Sequence, residues 1–65
     1  MKSYSSREII QILETDGWHY EVSSGSHNQY KHATKKGRVT VPHPRKDIPI
    51  GTVRNIFRQA NIKIH

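Results

Sequence analysis

No cysteine occurs in the chain, which excludes disulfide staples and thiolate zinc sites. Apolar residues are also scarce, at 32% of 65. No run of them approaches the roughly 20 residues that a membrane span requires. A basic-then-apolar leader is likewise absent, so the expected location is cytoplasmic, with no membrane partner. Acidic residues number five against eleven Lys and Arg, giving a formal net charge of +6. The imbalance is local. Residues 1–24 carry Lys2 and Arg7 against Glu8, Glu14, Asp16 and Glu21, net −2, whereas residues 25–65 carry nine bases against Asp47 alone, net +8. The later strands and the last helix therefore own the basic surface, as a face that tracks phosphates would. Sixty-five residues make one domain, 1–65, with one modest core. Below roughly 70 to 80 residues a core seldom supplies more than about 3 to 5 kcal/mol, so a partner chain would add what disulfides do not.

What apolar residues there are fall into periodic clusters. Ser5 and Glu8 form a capping-box pair, with Tyr4 and Ile9 at the hydrophobic-staple positions. Ile9, Ile10, Ile12 and Leu13 then recur at helical spacing until Gly17 offers a left-handed stop, predicting a helix from about Ser6 to Asp16. Trp18, Tyr20 and Val22 alternate with polar residues, the pattern of a strand buried on one face. Ser24-Gly25 reads as a tight turn, Asn28–Thr34 as a second strand, Lys35-Lys36-Gly37 as a second turn, and Arg38–Pro42 as a third strand with Val39 and Val41 inward. Pro42, Pro44 and Pro49 hold a connecting loop open, and Pro49 suits a first helical turn. Val53, Ile56, Phe57 and Ala60 predict a second helix that ends near Asn61, with a loose tail from Ile62 to His65. The expected fold is α+β, in the order α-β-β-β-α. A three-stranded antiparallel sheet carries both helices on one face and leaves the other wet.

Five histidines, at 19, 27, 32, 43 and 65, suggest acid/base chemistry or metal binding. Metal is disfavoured, because no His-x-x-x-His pair lies on a predicted helix and no carboxylate stands near His27 or His32 in the chain. No metal or cofactor is expected. His27 follows Gly25-Ser26, where a glycine allows close approach to the backbone and a hydroxyl stands beside it. Imidazole can take the proton of a ribose 2′-hydroxyl, or give one to a departing 5′-oxygen, near neutral pH. RNA brings its own nucleophile, and Lys31, Arg38, Arg45, Lys46 and Arg54 could hold the phosphate charge. An idle, solvated histidine is the competing reading of the tripeptide alone. His43, fixed between Pro42 and Pro44, is a second candidate for chemistry or for packing. His19 should face the open side of the sheet, where it could stack on a base, and His32 is expected to be structural.

Asp16-Gly17-Trp18, Gly25-Ser26-His27, Tyr30-Lys31-His32, Val39-Thr40-Val41-Pro42-His43-Pro44, Ile50-Gly51-Thr52-Val53-Arg54 and Arg58-Gln59-Ala60 occur in this order over nearly the whole chain. In this the sequence resembles the HicA toxins. The resemblance implies a fold like a double-stranded RNA-binding domain, an mRNA interferase activity that blocks translation, and a HicB-like antitoxin that covers the catalytic site. It carries the catalytic role to His27 and to no other histidine. The family pattern closes on alanine-glycine, whereas Ala60 is followed here by Asn61-Ile62. Asparagine also tolerates a left-handed helix end. At the start of the last helix, Ile50-Gly51-Thr52-Val53 replaces the lysine cluster with which duplex binders straddle a groove. The expected substrate is therefore single-stranded message, with no DNA contact by the toxin alone. The alternative is a non-catalytic RNA-binding module regulating translation. A purely protein-binding domain, its charge complementing an acidic partner, would lack RNA affinity altogether.

Overall fold

The computed structural model describes residues 3–63. Helix α1 spans Ser6–Thr15, opened by a complete capping box in which the Ser5 hydroxyl accepts from the Glu8 amide and the Glu8 carboxylate from the Ser5 amide. It closes on Gly17 at φ +103, and its amide donates to the Glu14 carbonyl. Strands β1 (Trp18–Ser24), β2 (His27–His32) and β3 (Val39–Pro42) follow, and helix α2 (Ile50–Gln59) ends the fold. The strands form one antiparallel sheet in the order β1-β2-β3.

Pairing assigns the faces. Trp18 opposes His32, Tyr30 opposes Val39, and Asn28 opposes Val41. Trp18, Tyr30, Val39 and Val41 pack with Ile9 and Leu13 of α1 and with Val53, Ile56 and Phe57 of α2 into one buried cluster. Both helices thus cover one face of the sheet, as expected.

Several sequence expectations are corrected. Val22 does not continue the inward period of Trp18 and Tyr20. Tyr20 opposes Tyr30 but Val22 opposes Gln29, so the register slips by one at Glu21. This bulge turns Val22 to the open face, where it is 46% exposed, and Tyr20 is itself 52% exposed. The first turn is Gly25-Ser26 instead of Ser24-Gly25, because Ser24 already pairs with His27. Gly25, at φ +61, supplies the left-handed first turn position of this two-residue hairpin. Strand β2 stops at His32, two residues early: the His32 Nδ1 accepts from the amides of Thr34 and Lys35, and the chain turns around the ring. Strand β3 begins at Val39, one residue late, and Pro49 caps α2 from outside without a side-chain bond.

The expected end of the last helix is met closely. Asn61 takes φ +54. Its amide donates to the Arg58 carbonyl, and the Ile62 amide to that of Phe57, completing a Schellman motif. Ile62 packs on the core and is not loose; Ile64 and His65 lie outside the described residues. Lys35 donates to the carbonyls of Ala60 and Asn61 and, at 2.6 Å, to Asp16. That hydrogen bond, first among its influences, holds the Asp16 carboxyl below the usual carboxylate range.

Candidate active site

His27 is the first residue of β2, not a turn residue, flanked across the sheet by Ser24 of β1 and Pro42 of β3. Strand alternation puts it on the open face, since Asn28 and Tyr30 pair with the inward Val41 and Val39. The ring is exposed, and no hydrogen bond to it is recorded among the described residues. Both nitrogens can thus meet a ligand. A Cβ added at Gly25 would meet nothing within 4 Å, so the hairpin tip leaves the close backbone approach that the sequence suggested. Ser26 stands beside it, its carbonyl accepting from the His43 amide at 2.8 Å.

The cations divide into separate groups. Lys31 shares the open face with His27 but lies four residues along the strand, about 13 Å away, with Gln29 between them. Glu21 reaches both Lys31, at 3.8 Å, and Arg38, at 3.2 Å. Arg38 also donates to Gln29 Oε1. Two of the expected phosphate ligands are thus already shared with a carboxylate of β1. Sequence reading missed this pairing, because Glu21 meets Lys31 and Arg38 only through the register of the strands. Such exposed pairs are individually weak and open readily to a competing anion.

Arg45 and Lys46 lie elsewhere, in the loop beyond β3, where they line a cleft with Ser5, Ser6, Arg7, His43 and Pro44. Arg54 lies on the exposed side of α2, in the helical layer, and is not brought to the open face that carries His27. His43 is half-buried, and its Nδ1 meets the buried Ser6 hydroxyl at 2.7 Å. His19, opposite Lys31, is exposed on the open face as expected. His32 is structural: besides its Nδ1 bonds, its Nε2 meets the Asp16 carbonyl at 2.7 Å and its ring stands edge-on to Trp18. Among the described residues no group of three or more His, Asp or Glu is placed to hold a metal ion. Nor is any described helix long and apolar enough to cross a membrane.

The arrangement can therefore present an unencumbered imidazole at the end of a bare sheet face, with cations on that face and around the sheet end. The family model "HicA toxin of bacterial toxin-antitoxin" matches residues 6–62. A chain of the solved "HicA3 and HicB3 toxin-antitoxin complex" is 32% identical to this one and superposes with a TM-score of 0.79, over 94% of this chain and 98% of that one. No curated protein matches the chain.

Proposed function

Because this chain belongs to the HicA family of bacterial toxin-antitoxin toxins, we propose that it is an endoribonuclease that cleaves mRNA and blocks translation, with His27 as its general acid/base. The observation that carries this reading is the position of His27, exposed at the head of β2 beside an unobstructed glycine turn. A ribose 2′-hydroxyl needs no nucleophile from the protein, only a base to receive its proton and donors to meet the charge on phosphorus. Gly25 and Ser26 offer backbone and hydroxyl contacts next to the ring. Lys31 and Arg38 hold neighbouring phosphates once these displace Glu21, and Arg45 and Lys46 serve the far side of the sheet end. Arg54, in the other layer, takes no part in this arrangement. No cofactor enters the scheme.

In the similar solved structure the toxin sits with HicB3. By analogy, a HicB-like antitoxin neutralises this chain by covering the His27 face. A second reading, a translational regulator that binds RNA without cutting it, is favoured by one observation: His27 has no recorded hydrogen bond to orient its ring. His27→Ala separates the two. Expressed at a soluble level matched to wild type, it should keep its fold and lose cleavage by about 10²- to 10⁴-fold, the usual worth of an acid/base group. Growth arrest and message loss should disappear together. Cleavage by the variant at the wild-type rate would remove His27 from the chemistry; arrest by both proteins with message intact would favour the regulator.

A further inference from the structure

The first turn of α1 is buttoned to the loop that leaves β3. The Ser6 amide donates to the Arg45 carbonyl at 2.9 Å, and the Arg45 amide returns a bond to the Ser6 hydroxyl at 2.9 Å. Ser6 is only 2% exposed, and it also holds His43 through Nδ1. Between helix and loop lies a cleft of about 430 Å³, within the range of roughly 300 to 1,000 Å³ that small-ligand sites occupy. Arg7, Arg45 and Lys46 line it together with His43, and no carboxylate is among the lining residues. The neighbouring acids are engaged elsewhere: Glu8 in the capping box and Asp47 with the Ser3 hydroxyl. Unlike Lys31, Lys35 and Arg38, the three cleft cations have no ion pair recorded among the described residues.

We propose that this cleft is a phosphate subsite for single-stranded RNA, gripping a backbone phosphate that flanks the one at His27. The proposal rests on the ribonuclease reading and extends it to substrate binding. Continuity of the sheet end is the reason for choosing this ligand. Pro42 pairs with His27, and the next residue, His43, is tied to the Ser26 carbonyl and lines the cleft. His27 faces the open side and the cleft the helical side, so a strand serving both must fold round the end of the sheet. A flexible single strand can do this, and a stiff A-form duplex cannot.

The test uses the full chain and a labelled single-stranded oligonucleotide methylated at every 2′-oxygen, which binds but offers no nucleophile. Arg7→Gln with Lys46→Gln, both at exposed positions, should weaken binding several-fold and flatten the dependence of log K on log salt by about 0.7 for each phosphate no longer neutralised. Arg7→Lys with Lys46→Arg should restore both. An unchanged salt slope in the glutamine variant, with wild type still cleaving message, overturns the subsite and leaves the ribonuclease standing. A wild type that neither binds the oligonucleotide nor cleaves message overturns both. Equal weakening on a duplex of the same length would refute the wrapped strand. Weaker binding of a polyglutamate peptide alone would assign the cleft to an acidic protein instead.

Discussion

Gly17 sits at φ +103 beneath the His32 ring, and a Cβ there would come within 2.7 Å of His32 Nε2. Two penalties combine in Gly17→Ala, a left-handed alanine and displacement of the ring whose bonds turn the chain after β2. The substitution should cost roughly 1 to 3 kcal/mol, read as a lower urea midpoint. Gly25→Ala, at φ +61 but with open space around it, should incur the backbone penalty alone and lose less. Gly17 was legible in the sequence as a helix stop, and so was Asn61. The contact between Gly17 and His32 was not, because it joins positions 15 residues apart that only the Trp18–His32 pairing brings together. That His27 is exposed was legible in its tripeptide, but its place at the head of β2, outside the turn, was not. The engagement of Lys31 and Arg38 by Glu21 was not, for it joins side chains that only the folded sheet brings together.

Among the elements, helices were the easiest to foresee, since capping and a 3.6-residue period are local signals. Strand ends were harder, because a side chain such as His32 can supply amide acceptors that end a ladder before the apolar pattern does. Lys35 illustrates how a turn residue acquires an element's task. It neutralises the carbonyl end of α2 and simultaneously pairs with Asp16 at the end of α1. Lys35→Met should therefore lower the melting temperature. The Asp16 carboxyl is depressed in the folded state, so its share of stability is full above the ordinary carboxylate range and fades as pH falls through the folded value. The gap between wild type and variant should narrow on acidification but not close, since the bonds to Ala60 and Asn61 do not depend on Asp16. The pair is about one-third exposed, and added salt should shrink the gap as well.

At the scale of the molecule, the least dimension is 16 Å, that of one sheet and one layer of helices. Among the described residues, the buried apolar side chains form a single cluster between these layers. Leu13, fully buried in that single cluster, should cost about 2 to 5 kcal/mol as alanine, comparable with the about 3 to 5 kcal/mol that a core of this size supplies. Circular dichroism of free Leu13→Ala should accordingly show a substantial unfolded fraction, recovered by any protein that binds only the folded form. The thin architecture also leaves β1 and β3 as unpaired edges. Strand β3 is four residues long and ends at Pro42, whose missing N–H blocks further pairing. Strand β1 is seven residues long and has no proline. Its protection is the extra residue at Glu21, which breaks the even spacing of amides and carbonyls and kinks the edge. The insertion that turns Val22 outward thus serves a second purpose: it spoils the template on which molecules of the same kind could stack edge to edge into fibrils.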